Sequence, residues 1–210
     1  AHIHGKNHII AEDIERQPIT YSQLLTRSFI LGHRLCKFSK PAENIGILLP
    51  NSIGALVTFF ALQVYARVPA MLNFSVSKAN LMNACQIASI RTLITSNRFI
   101  EVAKLTSVID NLKAMGITVI YLEELRREIQ WWHKLLGLFV SMIPQGYYRF
   151  CCPANHPEAP AVVLFTSGSE GLPKGVALSH INLQANRFQV SARIDFGPTD
   201  IVFNVLPIFH

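Results

Sequence analysis

Charge is scarce in this sequence. Asp, Glu, Lys and Arg make up 15% of its 210 residues against 50% hydrophobic side chains. That balance excludes an intrinsically disordered chain and predicts a globular protein with one substantial core or two closely packed lobes. Cysteine is sparse too. Cys36, Cys85, Cys151 and Cys152 have neither the knuckle spacing of a zinc site nor the C-x-x-C spacing of a redox pair, so reduced thiols in cytoplasm are expected. No secretory leader opens the chain, and nothing repeats at a fixed period. His2, His4 and His8 lie among polar residues at the start with no further ligand cluster, so the H-x-H pair reads as terminal sequence and not as a metal site. The charge that is present leans positive, 19 Lys and Arg over 13 Asp and Glu, a net +6. Such a surplus suits anionic lipid or an acidic carrier protein. Nucleic acid is not expected as a partner, because the basic residues are scattered and no nucleic-acid motif accompanies them.

What is abundant is apolar patterning that switches between two periods. Thr20 and Gln23 form a capping box for a helix to about Phe38, with Leu24, Leu31 and Leu35 on one face. Ile45 to Leu49 is a continuous apolar run, as in a strand buried on both faces of a parallel sheet. Asn51 or Ser52 then caps a helix over 53–66 that is apolar nearly all round, hence expected to be buried. Pro69 to Leu72 and Thr92 to Thr95 predict further strands, with a helix from Ser77 to about Ala88 between them. A helix over 98–114 and a strand from Ile117 to Tyr121 follow. Strands alternating with helices of this length predict an α/β protein with a doubly wound, largely parallel sheet and flanking helices.

Residues 122–143 depart from that rhythm. Leu122, Leu125, Ile129, Trp132, Leu136, Phe139 and Ile143 recur at spacings of three and four, which predicts one long helix whose far end is apolar all round. Residues 135–143 are too few to span a bilayer. Trp131, Trp132, His133 and Lys134 beside them suit a lipid–water interface, so the segment is expected either to touch a membrane peripherally or to pack on the remainder of a longer protein or in a dimer. Residues 1–145 thus read as an N-terminal α/β subdomain and 146–160, with Pro153, Pro157 and Pro160, as a linker. Residues 161–210 read as an incomplete second subdomain.

The organising stretch is Thr166-Ser167-Gly168-Ser169-Glu170-Gly171-Leu172-Pro173-Lys174-Gly175, set between the apolar runs 161–165 and 176–178. Gly168, Gly171 and Gly175 let the backbone approach a ligand so that successive N–H groups converge on phosphate oxygens. Thr166, Ser167 and Ser169 add hydroxyls, and Lys174 a mobile point charge. It is not a Walker A loop, which after Gly168 would need Gly at Pro173 and Ser or Thr at Gly175 and would lead into a helix. Strand-loop-strand is expected here, with a helix beginning only at Ser179. Ile201 to Val205 predicts one more strand, delivering His210 to the same site.

At these residues a resemblance becomes specific. TSGSEGLPKG with VALSH, and Leu206-Pro207-Ile208-Phe209-His210 downstream, resemble two successive motifs of the adenylate-forming acyl-activating superfamily. SGSEG, Ile45-Gly46-Ile47-Leu48-Leu49-Pro50-Asn51 and Val68-Pro69-Ala70-Met71-Leu72-Asn73 look like its acyl-carrier-protein-charging branch. The likeness, from about Thr20 to His210, is greatest to the synthetase half of bacterial bifunctional lysophospholipid acyltransferase/synthetases. It implies fatty acid plus ATP giving acyl adenylate and pyrophosphate, with Mg²⁺, then acyl transfer to the thiol of acyl carrier protein or coenzyme A. It also implies phosphate binding by Thr166, Ser167, Gly168, Ser169, Gly171 and Lys174, and a place for His210 at the acyl carboxylate. Glu170 beside a triphosphate would repel it unless it faces Mg²⁺, another cation or solvent. By the same resemblance the main catalytic residues are expected after His210. The chain is then expected to be the N-terminal part of a large domain, inactive alone, from a protein in cytoplasm or at the cytoplasmic face of the inner membrane. Apolar edges left uncovered would favour self-association.

Two rival readings remain. Asn7-His8-Ile9-Ile10-Ala11-Glu12-Asp13 has the His and Asp spacing of glycerolipid acyltransferases, where a base stands by its orienting carboxylate. Two residues at one spacing recur easily by chance, and no partner motif accompanies them. The other reading is a non-catalytic lipid- or carrier-binding module built on residues 131–143.

Overall fold

Successive strand side chains point to opposite faces, and the run Ile45-Gly46-Ile47-Leu48-Leu49 uses both. Ile45, Ile47 and Leu49 enter one core, and Leu48 enters the other with Leu72 and Leu93. The structure, a computed structural model, describes residues 4–152, 156–167, 173–197 and 199–209. Two short antiparallel strands open it, β1 (Ile9–Ala11) and β2 (Ile19–Thr20). The main sheet contains β3 (Asn44–Ile47), β4 (Val68–Met71), β5 (Thr92–Thr95), β6 (Thr118–Tyr121), β7 (Pro160–Ser167) and β8 (Pro173–Ser179). Their order is β6-β5-β3-β4-β7-β8, all parallel except β8 against β7. Gly46 stands opposite both Ala70 and Leu93, and Ala70 opposite Val163, so β7 continues the sheet that the first four parallel strands begin.

Helices cover both faces. Against one lie α1 (Tyr21–Leu35) and α2 (Ile53–Val64), whose Leu24, Leu35, Ala61 and Leu62 join Ile45, Met71, Ile94 and Val162. Against the other lie α3 (Lys78–Ile87), α4 (Asn97–Val102) and α5 (Thr106–Ala114). The capping box of α1 is present, with Gln23 N–H donating to Thr20 Oγ1 at 3.2 Å and Thr20 N–H to Gln23 Oε1 at 3.0 Å. Ser52, Ser77 and Ser96 each accept a bond from the first turn of the next helix. After β3 the chain passes to α2 on one face, and after β4 to α3 on the other. The next strand, β5, is laid down on the far side of β3, so the strand order reverses between β3 and β5, where ligands of such sheets normally bind.

Four sequence expectations are corrected. The helix over 98–114 is two helices, because Lys104 takes a left-handed φ of 56° and Leu105 N–H bonds Ile100 carbonyl at 2.9 Å, turning the chain between them. Helix α2 is not buried all round: Ala55, Val57, Thr58, Ala61 and Leu62 face the core, while Phe60 is 41% exposed. The long helix over 122–143 is broken into α6 (Leu122–Arg127) and α7 (Trp131–Met142), and the start of the expected linker is a third helix, α8 (Pro144–Cys151). The first break falls at Gln130, which turns extended just after Glu128, whose half-exposed carboxylate pairs with the buried Arg34 of α1. Finally, residues 201–205 form no strand. Among the described residues no neighbouring strand offers them a ladder, and Ile201 is 95% exposed.

Glu123 of α6 ties the second half of this framework to α4. Its carboxylate accepts bonds from Ser96 Oγ at 2.7 Å and from the backbone N–H groups of Asn97 at 3.1 Å and Arg98 at 3.4 Å. Burial alone would raise its pKa, but these bonds outweigh burial and hold it below the ordinary carboxylate value. A depressed folded-state pKa contributes stability that is present above the unfolded value, ~4.3, and is lost as pH falls through the folded one. Glu123→Gln is expected to cost about 1 kcal/mol at pH 7, discounted for exposure. The gap to wild type should close in urea titrations carried down below the carboxylate range; a gap independent of pH would remove charge from the explanation.

Candidate active site

The hydroxyl-rich stretch turns back on itself as an antiparallel hairpin because apolar runs flank it on both sides. Phe165 stands opposite Gly175, Thr166 opposite Lys174 and Ser167 opposite Pro173, so the strand-loop-strand order predicted from the flanks is the one observed. Thr166 and Lys174 are both exposed and face each other across the last rungs of the ladder, at the carboxyl end of β7. Gly168, Ser169, Glu170 and Gly171, like His210, lie outside the described residues, as does the side chain of Ser167.

The carboxyl ends of β3, β4 and β7 share one edge of the sheet, since the three strands run parallel. Onto that edge residues 206–209 dock without forming a strand. Asn51, in the loop after β3, donates from Nδ2 to the Leu206 carbonyl at 2.7 Å and accepts the Ile208 N–H on Oδ1 at 2.8 Å. Phe209 is buried and meets the Phe74 ring edge to face at 5.0 Å, while Phe74 meets Phe99 at 5.0 Å. Two half-buried rings, Phe74 in the loop after β4 and Phe99 of α4, thus hold the residue before His210. The sequence offers Asn51 as a helix cap and as part of a family motif, but not as an anchor for 206–209; the signal for that role is a side chain with both donor and acceptor in the loop after β3. Asn51→Leu keeps the size but removes both bonds. It is expected to raise amide exchange over 206–209 about tenfold, since each exposed pair is worth about 0.5–1.5 kcal/mol; unchanged exchange there would show that Phe209 alone holds the segment.

Other candidates fall elsewhere. His180 begins α9 (His180–Ser191) at the opposite end of the hairpin, beside Pro160, and lines a cavity of about 330 Å³ with His156, Pro157, Ile181 and Gln184. Burial lowers its pKa. The spacing of His8 and Asp13 does not make a pair. Asp13 caps α2 by accepting Ile53 N–H at 2.9 Å and its own loop's Glu15 N–H at 3.1 Å, and the His8 ring stacks on Tyr21. Among the described residues no three His, Cys, Asp or Glu side chains come together as metal ligands. Burial pushes the Cys85 thiol up to about 12 and the Cys152 thiol up to about 11. Both stay protonated, as inert buried thiols do.

A six-stranded, mostly parallel sheet whose order reverses, with a polar hairpin tip on its carboxyl edge, defines a class of α/β ligand-binding proteins. Comparison with known proteins narrows it. The chain belongs to the AMP-binding enzyme family, whose model matches residues 3–210. It is 22% identical over 222 aligned positions to the medium-chain-fatty-acid–[acyl-carrier-protein] ligase TtuA of Teredinibacter turnerae, covering 94% of this chain and 34% of that protein. The O-succinylbenzoate coenzyme A synthetase of Bacillus subtilis, solved with AMP, superposes with a TM-score of 0.73 at 19% identity over 98% of this chain and 47% of its own. ATP-bound MatB of Rhodopseudomonas palustris superposes at 0.72, 20% identity, over 98% of this chain and 38% of its own. The chain thus spans about a third of the curated relatives it matches end to end (34% of TtuA), and the solved structures share its fold.

Proposed function

We propose that the protein to which this chain belongs activates a fatty acid with ATP and passes the acyl group to a thiol. A carboxylate oxygen attacks the α-phosphorus and the bond to pyrophosphate breaks, leaving a mixed acyl–AMP anhydride. A thiol then attacks the acyl carbon, AMP leaves, a thioester forms and the thiol proton is released. The observation that carries this reading is the hairpin tip, where Thr166 and Lys174 face one another on the same sheet edge that receives residues 206–209. In the proposal Thr166, Ser167, Gly168, Ser169, Gly171 and Lys174 neutralise the departing pyrophosphate. His210, following the anchored Phe209, orients the carboxylate. Glu170 faces solvent or a cation. Mg²⁺ would travel with ATP and offset charge on its phosphates.

The finer reading makes acyl carrier protein the acceptor, as the SGSEG sequence and the TtuA likeness favour. It puts the enzyme in lysophospholipid reacylation at the cytoplasmic face of the inner membrane. Coenzyme A is the competing acceptor, favoured by the fold likeness to a coenzyme A synthetase. ATP-dependent exchange of labelled pyrophosphate with a panel of fatty acids, followed by thioester formation with either acceptor, tests both levels. Exchange with no carboxylate would overturn adenylation and leave a non-catalytic lipid- or carrier-binding module.

A further inference from the structure

Helix α7 is mounted inside out. The side chains it turns to the protein are His133, Gly137, Val140 and Ser141, all buried, whereas Trp131, Leu135, Leu138, Phe139 and Met142 are between 53% and 72% exposed. The spacing of the buried set, i, i+4, i+7 and i+8, is one helical face, but it is the small and polar one. The apolar stripe predicted from the sequence faces outward instead: Trp132 is 45%, Leu136 44% and Ile143 55% exposed. Gly137 fixes this orientation. A Cβ there would stand 2.5 Å from Ile30 Cγ1 and 2.7 Å from Ile30 Cδ1, so any larger residue would have to displace the Ile30 side chain for α7 to lie this close to α1. His133 supports it by accepting the Gln130 N–H on Nδ1 at 3.1 Å. Rotating the bulky face inward would drive those side chains into α1.

An exposed apolar face of this size marks an interaction surface, and its charge selects the partner. No Asp or Glu occurs between residues 129 and 152, a stretch that carries Lys134 and Arg149. Arg126 and Arg127 stand exposed at the end of α6, and His33 and Lys37 of α1 are exposed on the side that bears on His133. A second copy docking here would bring like charges together. An anionic bilayer would meet the cations with lipid phosphates and take up the large side chains. At 12 residues α7 is about 18 Å long, too short to span, and no described helix is long and apolar enough to cross a membrane. Tryptophan at one end of an apolar helix suits the headgroup level.

We propose that the outward face of α7 is a peripheral docking surface for anionic phospholipid, with Trp131, Leu135, Leu138, Phe139 and Met142 inserted at the acyl boundary. The inference rests on the membrane location in the reading above and on none of its chemistry. It needs no ATP, so it and acyl activation can fail separately.

The chain carries its own reporter, because its two tryptophans are Trp131 and Trp132. With vesicles of phosphatidylethanolamine and phosphatidylglycerol at 3:1, Trp emission is expected to shift to the blue and the protein to sediment with lipid. Phosphatidylcholine vesicles should bind less, and added salt should weaken the anionic case. Leu135→Gln and Phe139→Gln alter exposed side chains, so their circular dichroism should match wild type while each lowers the partition coefficient about tenfold. Phe188→Gln, an equally exposed apolar site on α9, should leave binding unchanged. An unshifted emission with protein remaining in the supernatant would overturn the proposal. So would equal losses from Phe188→Gln, which would mean general stickiness, or a blue shift that grows with protein concentration without lipid and tracks a dimer in sedimentation velocity.

Discussion

Lys174→Ala is expected to lower ATP-dependent pyrophosphate exchange about 10²–10³-fold in the intact protein that carries this sequence, with little change in folding. The magnitude is that of removing one preorganised donor from a site where charge develops, about 2.7–4 kcal/mol. Two roles compete for this lysine. Strand β8 ends the sheet, and a charged lysine on an edge strand also discourages pairing with another chain. That role predicts association of the variant and no loss of turnover per folded monomer. The phosphate role predicts the reverse. Lys174→Arg separates them further: it keeps the edge charge but replaces a compact ammonium by a planar fork. Recovery of solubility without recovery of exchange would place Lys174 on the phosphates. Exchange unaffected in both variants would remove Lys174 from the chemistry and, with it, the main support for reading the hairpin tip as a phosphate cradle. Thr166→Val, on the facing strand, should have a smaller effect of the same sign, because a neutral hydroxyl contributes less than a charge.

Much of the sheet was legible in residues 44–121 because local and global signals agree there. Thr92 to Thr95 is a strand with the predicted bounds, and Ser77 and Thr20 cap the helices assigned to them. The failures lie where one long-range interaction outweighs a local pattern. The helix breaks just beyond Glu128, which pairs with Arg34, 94 residues earlier, and no local periodicity contains that partner. The outward face of α7 was invisible for a related reason: hydrophobic spacing says which side chains share a face, and only Gly137 against Ile30 says which face is turned inward. At the site, the hairpin followed from its flanks. The anchoring of 206–209 did not, because Asn51 and Ile208 are 157 residues apart, and a segment held by one side chain and a buried ring leaves no periodic trace.

Gly32→Ala poses the same contest between local and tertiary terms with opposite signs, and the tertiary term is expected to win. Gly32 lies in the last turn of α1, where replacing glycine by alanine should on propensity alone stabilise a helix by up to about 1 kcal/mol. The structure places a Cβ there 2.4 Å from Tyr65 Cδ2 and 2.6 Å from the Ala61 carbonyl oxygen of α2. The second of these is backbone and cannot swing away. Moving the Tyr65 ring would break the bond from its hydroxyl to the Phe29 carbonyl, 3.1 Å, and disturb its 3.1 Å contact with the Tyr147 hydroxyl, which ties α8 to the α1–α2 pair. Overpacking of this kind costs about 1–3 kcal/mol, so the net change is a loss of up to about 2 kcal/mol and a Tm lower by a few degrees, at about 2–4 °C per kcal/mol for a chain of this size. Gly54→Ala is the control. A Cβ at Gly54 meets Leu122 Cδ1 and Ser52 Oγ at 3.6 Å, ordinary contact distance, so the propensity term should act alone and raise Tm slightly. A Gly32→Ala variant that melts above wild type would show that α1 and α2 have room to separate, and that this junction is looser than the close approach of Gly32 to Ala61 and Tyr65 implies.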